Sequence, residues 1–249
     1  MKIIYLSPSY RRPEKSITQE AYPFVKLVVA ESERAEYESN GNEVVACPDE
    51  VQGNISRVRN WILEQYLPHY DCVILMDDDI SYMGRWNKRD RLKFAPEELM
   101  EFCEMHSIIC KDAGLKLWGV NLAATDKGWY SEHSPFGFNH VILGPFMAHM
   151  QGTEIRYDET IPLKEDYDMS LMHLWKYRGV LRVNYGFYHA KHGKQPGGCA
   201  GIRNIEAERK QFMLLQEKWG SDVVQRDTRS NKDFDYNPKI KLPYRTYNK

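Results

Sequence analysis

The sequence predicts an α/β fold with a central sheet flanked by helices. Short apolar runs of strand length alternate along the chain with longer segments of helical periodicity, which is the order of elements in α/β proteins. The clearest strand is the apolar run Cys72–Met76, which ends abruptly in three aspartates. The clearest helix is 96–113, with Pro96 in its first turn and Gly114 at its end. Ligands of open α/β sheets bind outside the carboxyl ends of the strands, so the aspartates lie where a site is expected.

The remaining elements follow from periodicity and from proline and glycine breakers. We expect further strands at 2–6, 24–30, 43–46, 117–123 and 181–188. We expect further helices at 32–39, 55–67, 164–179 and 205–219. Two loops are expected, a basic surface loop at 85–93 and a long polar and aromatic loop at 124–139. These elements fit one domain, residues 1–220, with a C-terminal tail, 221–249, packed on it or extending from it.

The composition excludes several classes of protein. Charged residues make up 28% of the 249 residues but nearly cancel, with a net charge of −1, so the chain has no global basic field of the kind that coats nucleic acid. Five cysteines without a C-x-x-C pair indicate neither a zinc ribbon nor a disulfide framework. No apolar run reaches the roughly 20 residues of a membrane span. We therefore expect a cytoplasmic protein without a membrane partner.

Asp77, Asp78 and Asp79 form the first candidate site. Three adjacent carboxylates repel one another unless protons, cations or backbone donors offset their charge. A hard divalent cation that also holds phosphate oxygens is the simplest offset, because Mg²⁺ and Mn²⁺ bind one or two carboxylates together with substrate oxygens. A solvated acidic turn is the alternative explanation, and the short motif alone favours neither.

Polar and basic residues near the ends of neighbouring elements are candidates for nucleotide binding. They are Ser7 and Arg11 after the first strand, Arg59 and Asn60 near the start of the 55–67 helix, and His189, His192 and Lys194 after the 181–188 strand. An exposed turn position explains Arg11 at least as well. An isolated histidine is usually not a ligand, but two histidines at a strand end beside a basic, glycine-rich loop favour a site somewhat more.

A second acidic cluster, containing Glu165 and Asp166, opens a later helix. Acids at a helix N-terminus stabilise the helix by capping and by interaction with its dipole. Capping is therefore a sufficient explanation of this cluster when it is considered alone.

Taken together, these motifs resemble the GT-A fold of nucleotide-sugar glycosyltransferases. In that fold a DxD motif after a mid-domain strand binds a divalent metal and the diphosphate. The matching residues are Asp77-Asp78-Asp79 for the DxD motif and, about ninety residues later, Glu165-Asp166 for an acid pair near the acceptor. The resemblance implies a single Rossmann-like domain with a mixed central sheet flanked by helices.

A narrower resemblance covers most of the second half of the chain. The TET-associated glycosyltransferases look similar in the segments Lys164–Leu171, Leu181–Asn184, Gly197–Gly198 and Leu215–Gly220 and at Arg203. These are largely phage-encoded enzymes associated with sugar transfer onto hydroxymethylated cytosine in DNA. The resemblance implies a UDP-sugar donor, UDP-glucose foremost, and double-stranded DNA bearing 5-hydroxymethylcytosine as the acceptor. It places the protein in the cytoplasm of an infected host cell.

The resemblance also implies a role for each candidate residue. Asp77 and Asp79 hold Mn²⁺ or Mg²⁺ against the pyrophosphate, with His189 or His192 as a third ligand. Asp166, with Glu165 second, is the general base on an acceptor hydroxyl in an inverting reaction, or positions the sugar or acceptor in a retaining one. The remaining donor contacts are Asp78 at the ribose or sugar, Arg59 and Lys194 at the phosphates, and Ser7, Arg11 and Asn60 at the nucleoside.

Binding to DNA would require a local patch because the net charge is close to zero. The basic candidates for phosphate contacts are Arg85, Lys88, Arg89 and Arg91. The aromatic candidates for stacking on a flipped base or wedging the duplex are Trp129, Tyr130, Phe136 and Phe138. The main alternatives are a GT-A enzyme with a saccharide or small-molecule acceptor, and a non-enzymatic DNA-binding accessory protein whose acids are structural. A phosphatase is less favoured, since its DxD motif normally follows the first strand.

Overall fold

The structure is a computed structural model that describes residues 1–88, 90–121, 133–191, 204–227 and 236–242. The larger sheet contains the strands β1 (Ile3–Pro8), β2 (Lys26–Ala30), β3 (Val44–Cys47), β4 (Cys72–Met76), β5 (Ile80–Asn87), β6 (Asp90–Lys93), β7 (Leu117–Asn121), β8 (Phe136–Gly137), β9 (Phe146–Met150) and β10 (Leu181–Ala190). A separate pair of strands is formed by β11 (Val224–Arg226) and β12 (Pro238–Ile240). The α-helices are α1 (Ile17–Ala21), α2 (Arg34–Ser39), α3 (Ile55–Tyr66), α4 (Pro96–Asp112), α5 (Glu165–Lys176) and α6 (Ile205–Trp219).

The strands of the larger sheet lie in the order β3-β2-β1-β4-β9-β7-β10-β5-β6, with β8 paired to the first part of β10 outside this order. The first four run parallel, whereas β9 is antiparallel to both β4 and β7. Beyond β7, β10 runs parallel to it and antiparallel to β5. Because β1 lies between β2 and β4, the chain leaves the carboxyl ends of β1 and β4 in opposite directions and opens a crevice there.

Alternating side chains of β4 pack into two cores on opposite faces of the sheet. Ile74 and its alternate neighbours pack with α4, through residues such as Phe102. Val73 and Leu75 pack on the other face with α3 and α5. Because both faces of β4 are buried, all of its residues are apolar. Charged residues are tolerated only where the strand ends.

The structure confirms the α/β fold class and the mixed central sheet flanked by helices. The observed bounds of β4 and α6 equal the predicted ones, and the other predicted strands and helices are present with shifts at their ends. Most of the predicted loop at 124–139 lies outside the described residues, which begin again at 133. Among the described residues, no helix is both long and apolar enough to cross a bilayer.

The elements α1, β8, β11 and β12 were not predicted, and two further regions differ from the sequence prediction. The segment 85–93 is a β-hairpin made of β5 and β6 rather than a loop, because Trp86 is buried against Phe187 while its basic neighbours face outward. The strand β9 was not predicted, since its five residues include His149 and show no alternation of polar and apolar residues. His149 is fully buried in the sheet, so only the tertiary fold makes this segment a strand.

Candidate functional site

The turn between β4 and β5 carries the three aspartates and is held rigidly by its neighbours. The Thr18 hydroxyl donates to the Asp77 carbonyl at 2.6 Å and accepts from the Ile80 amide at 2.9 Å. The Asp77 amide donates to the Pro145 carbonyl at 3.0 Å, and the Lys191 amide donates to the Asp79 carbonyl at 3.0 Å. The carboxylates are therefore presented by a turn whose backbone is tied to α1, to the start of β9 and to the end of β10.

Asp78 points towards the segment that follows β1. Its Oδ1 lies 2.8 Å from a guanidinium nitrogen of Arg12, and its Oδ2 accepts from the Ser9 hydroxyl at 2.6 Å. Burial raises the pKa of Asp78, and the charge of Arg12 works against that rise. A cleft adjoins this carboxylate, lined by Arg11, Arg12, Pro13, Glu14, Lys15, Ser16 and Asp78. The cleft is at the carboxyl end of β1, where the nucleoside was expected.

Arg59 is buried between the two acidic clusters, with a side chain only 3% exposed. Its guanidinium binds Glu165 Oε1 at 2.9 Å, the Gly144 carbonyl at 3.1 Å and Asp77 Oδ1 at 3.3 Å. Burial opposes the charge of Arg59, but Tyr157 and the surrounding carboxylates outweigh it and raise the pKa. Both terminal nitrogens of Arg59 are thus bound within the protein, and its contact with phosphate stays a prediction.

The acid pair lies directly beside this guanidinium. Asp166 Oδ2 accepts from the Gly144 amide at 3.0 Å, and its Oδ1 accepts from the Tyr167 amide at 2.8 Å. Burial raises the pKa of Glu165, which the charge of Asp166 raises further and Arg59 lowers. Burial also raises the pKa of Asp166, against its two backbone donors and Arg59. A carboxylate with a raised pKa is a stronger base, which is the property that a general base requires.

Ser9, Thr18 and Ser81 support the site without having been identified from the sequence, and the same is true of Gly144 and Tyr188. Gly144 binds Arg59 through its carbonyl and Asp166 through its amide, and a Cβ there would lie 3.4 Å from both side chains. Tyr188, in β10, is 7% exposed and its pKa is raised by burial and by the charges of Asp77, Asp166 and Asp79. The Tyr188 side chain therefore lies close enough to both acidic clusters for their negative charges to disfavour its ionised form. Neither Gly144 nor Tyr188 belongs to a recognisable motif, although the Gly-Pro dipeptide at 144–145 marks a tight turn.

His189 lies within β10 rather than after it, and its ring is oriented by two neighbours. The Ser81 hydroxyl is 2.8 Å from His189 Nδ1 and 3.0 Å from the His189 carbonyl, and the ring stacks on Tyr82 at 4.8 Å. The carbonyl can only accept, so the tautomer that satisfies both contacts has Nδ1–H donating to Ser81 and the lone pair on Nε2. That tautomer suits a metal ligand. His192 and Lys194 lie outside the described residues.

The three residues predicted to contact the nucleoside have different surroundings. Arg11 is exposed, lines the cleft and places its guanidinium 4.9 Å from the centre of the Tyr10 ring. Ser7 is fully buried, so the structure does not present its hydroxyl to a ligand. Asn60 donates to the Tyr157 carbonyl at 2.9 Å and accepts from the Tyr157 amide at 2.7 Å. The oxygen and the nitrogen of the Asn60 side-chain amide therefore both bind the backbone of Tyr157, and the nucleoside roles of Ser7 and Asn60 stay predictions.

The carboxylates and His189 supply oxygen and nitrogen donors of the kind that Mn²⁺ accepts. No group of three or more candidate ligand side chains is already assembled within the part of the chain that the structure describes. Asp77 is 32% exposed at its side chain and Asp79 is buried in the same turn. The donor set thus suits a metal that also takes ligands from a bound substrate.

Comparison with known proteins supports the fold. No protein-family model and no curated protein matches the chain. Glucosyl-3-phosphoglycerate synthase from Mycobacterium tuberculosis, in complex with Mn²⁺, UDP-glucose and phosphoglyceric acid, matches with a TM-score of 0.53 and 12% identity, over 91% of this chain and 84% of that chain. TarS 1–349 of S. aureus matches with a TM-score of 0.47 and 13% identity, over 87% of this chain and 66% of that chain. The chain has the GT-A fold, and its membership of the TET-associated family stays a prediction.

Proposed function

We propose that this chain is a metal-dependent glycosyltransferase that moves a sugar from a UDP-sugar to a hydroxyl acceptor. The observation that carries the proposal is the meeting of two acidic clusters across Arg59. The Asp77 cluster comes from the end of β4 and the Glu165–Asp166 pair from the start of α5. One cluster is suited to a metal and diphosphate and the other to a base, in a fold shared with a synthase whose complex contains Mn²⁺ and UDP-glucose.

The donor is assigned to the cleft beside Asp78. Asp78 is held by Arg12 and Ser9, so its carboxylate is positioned to accept from ribose or sugar hydroxyls. Arg11 lines the same cleft and offsets the charge of a nucleoside diphosphate. UDP-glucose is the first donor to test, since it is the donor in the complex of the structurally similar synthase.

Asp77 and Asp79 would hold the divalent metal, with Nε2 of His189 as a third ligand. Bound there, Mn²⁺ or Mg²⁺ would act as a Lewis acid towards the charge that develops on the leaving phosphate. Arg59 orients the Asp77 carboxylate by binding its Oδ1, and Arg59 is not among the residues that line the cleft beside Asp78. The orientation of His189 by Ser81 is the second layer of contacts that metal-binding histidines generally require.

Asp166 is the general base of the proposed reaction. It removes the proton of the acceptor hydroxyl as that oxygen bonds to the anomeric carbon, while the bond from that carbon to the phosphate oxygen breaks and UDP leaves. The Gly144 and Tyr167 amides fix both carboxylate oxygens, which leaves a lone pair on each for the acceptor. This single displacement inverts the anomeric configuration.

The acceptor is proposed to be 5-hydroxymethylcytosine in double-stranded DNA. The support is the β5–β6 hairpin, whose side chains Arg85, Lys88, Arg91 and Lys93 are all exposed at the end of the sheet. Four cations on one hairpin form the local patch that a chain of net charge −1 needs to hold phosphates. Phe138 is 47% exposed, whereas Phe136 packs near Tyr185 and His106. Three of the predicted DNA contacts, Arg89, Trp129 and Tyr130, lie outside the described residues.

A small hydroxylated acid is the second candidate acceptor, since the structurally similar synthase contains phosphoglyceric acid in its complex. Mass spectrometry of products formed from a panel of UDP-sugars separates the two candidates. One arm contains hydroxymethylcytosine DNA and the other contains phosphoglyceric acid. Sugar found on the DNA supports the first candidate, and sugar found only on the small acid supports the second.

Asp79→Ala tests the donor site. We expect transfer to be lost and the manganese-dependent part of UDP binding to disappear in calorimetry, because a metal ligand has been removed. Asp90→Ala, in the exposed hairpin, is the matched control and should bind UDP with manganese as the parent does. UDP binding by Asp79→Ala that keeps its full manganese dependence would show that the metal lies elsewhere.

A further inference from the structure

Helix α6 contacts one residue on each side of the acid pair, Lys164 before it and Asp168 after it. The first turn of α5 has no side-chain cap at Lys164. Instead, the buried ammonium of Lys164 forms an ion pair with Glu208 near the start of α6. Four residues later, Asp168 is bound by Lys218 and Trp219 at the end of α6.

The contact at Asp168 is specific. Its side chain is fully buried, with Oδ1 accepting from the Trp219 indole Nε1–H at 2.7 Å and Oδ2 bound by Lys218 Nζ at 2.9 Å. Lys218 also binds Asp158 at 2.8 Å, so one ammonium ties α6 to the segment before α5 as well. Buried carboxylates with charged and indole donors have strongly directional geometry, unlike an apolar contact.

Glu165 and Asp166 lie between these two anchored residues. The Glu165 carboxylate binds Arg59, and the Asp166 carboxylate accepts from the Gly144 amide. The direction of Asp166 is therefore set by where α6 holds the backbone of residues 164–168. A displacement of about 1 Å in a reacting group typically costs about 100-fold in rate.

We propose that α6 is a positioning element for the acid pair, acting through Trp219 and Lys218 on Asp168 and through Glu208 on Lys164. In this proposal Trp219, Lys218 and Glu208 are positioning residues, since their contacts are to Asp168, Asp158 and Lys164. The inference rests on the proposed function, because it assigns the pair a catalytic task whose geometry must be kept.

Trp219→Phe tests the inference with the least disturbance, since it removes the indole N–H donor and keeps an aromatic ring. Trp175→Phe is the matched control, because Trp175 is on α5 but 69% exposed. We expect Trp219→Phe to lower kcat for transfer from UDP-glucose by about 10- to 100-fold. The dissociation constant for UDP with Mn²⁺ should stay within about twofold of the parent, because the proposed donor cleft lies after β1 and at the β4–β5 turn rather than on α5 or α6. The control should match the parent in both measurements.

Lys218→Met is a second variant, and Lys218→Arg should restore most of kcat because it keeps the cation. Parental kcat in both Trp219→Phe and Lys218→Met would overturn the inference. So would a loss of kcat accompanied by an equal loss of UDP affinity, which indicates general damage.

Hydrogen exchange of the 165–168 amides separates a failure of this inference from a failure of the proposed function. If the parent transfers no sugar, the proposed function fails. Exchange that is faster in Trp219→Phe than in Trp175→Phe would still support the anchoring by α6, and equal exchange in the two variants would overturn it.

Discussion

Arg59 is the buried charge on which the carboxylates of this site depend. Removing one partner of a buried ion pair is costly because the other charge stays behind without compensation. Here two acids, Glu165 and Asp77, would lose their cation together. The neighbouring Arg57 offers a contrast, since its pair with Glu159 is 44% exposed on both sides.

We therefore predict that Arg59→Ala lowers the free energy of unfolding by about 3–5 kcal/mol. Arg57→Ala, two positions away on the same helix, should change it by less than about 1 kcal/mol because solvent screens the exposed pair. Urea denaturation measures both. Equal stability of the two variants would mean that the acids lose their charge by taking up protons without measurable cost.

Asp166 should matter for turnover more than for donor affinity. Asp166→Asn keeps the shape and removes the base, so kcat should fall by about 10²- to 10⁴-fold with UDP binding little changed. Asp112→Asn, at the exposed end of α4, is the control. Near-parental turnover of Asp166→Asn would leave the acid pair with a capping role alone.

The pH dependence follows from the same pair, whose pKa values are raised. The base is active only when deprotonated, so kcat/KM of the parent should rise with pH through an apparent pKa above the usual carboxyl value, and Asp166→Asn should lack this limb. The free energy of unfolding should instead fall as the pH rises. The folded chain keeps a proton that the unfolded chain has lost, so raising the pH through this window destabilises the fold. A rate profile with no rising limb above the pKa of an ordinary aspartate, about 4, would contradict the assignment.

At the scale of elements, the β5–β6 hairpin carries the acceptor prediction. Trp86 anchors it against Phe187, and Lys93 extends over the Tyr82 ring at 4.2 Å. Its outward face is therefore fixed in position while remaining basic. A fixed array of cations releases a defined number of counterions when it binds phosphates.

Changing Arg85, Lys88 and Arg91 to alanine should weaken DNA binding and flatten its salt dependence. Each lost phosphate contact should lower the log–log slope by about 0.9 for duplex DNA. The control removes three exposed cations elsewhere, namely Arg34, Lys111 and Lys210. Titrations followed by fluorescence anisotropy measure the slopes, and equal slopes for the two triple variants would place the DNA surface outside the hairpin.

At the scale of the whole molecule, the C-terminal strands belong to the folded body. Val224 of β11 is fully buried with Phe212, Leu215 and Leu171, which joins the strand pair to α5 and α6. Gln216 donates to the Val224 carbonyl at 2.8 Å, so the pair is also held by hydrogen bonds. The predicted boundary at 220 therefore falls between α6 and strands that pack on it.

A variant that ends at residue 220 should be less stable by at least about 2 kcal/mol, because the partners of one fully buried valine are exposed. Lys239→Ala, at an exposed position of β12, should leave stability unchanged and serves as the control. The midpoint of urea unfolding measures the effect. A shortened chain as stable as the parent would mean that the strand pair is an appendage.

The α/β class, the strand that ends before Asp77 and the helix that Glu165 opens were all predictable from the sequence alone. These features depend on local patterns, such as an apolar run, a cap or a breaker, which adjacent residues express without reference to the rest of the chain. The DxD motif and the acid pair were recognisable for the same reason. That these two motifs belong to one site was inferred from the resemblance to GT-A glycosyltransferases.

Only the tertiary structure decided which residues complete the site. Arg59 and Glu165 are 106 positions apart, so their ion pair cannot be deduced from any local pattern. The same holds for Asn60, whose partner is Tyr157, and for Gly144, which acquires its role because β9 inserts between β4 and β7. The hairpin was expected to be a loop because its basic residues are visible in the sequence, whereas the burial of Trp86 depends on β10. Burial and pairing between distant segments are properties of the folded chain, and they separate the arginine that organises the acids from the arginines that face solvent.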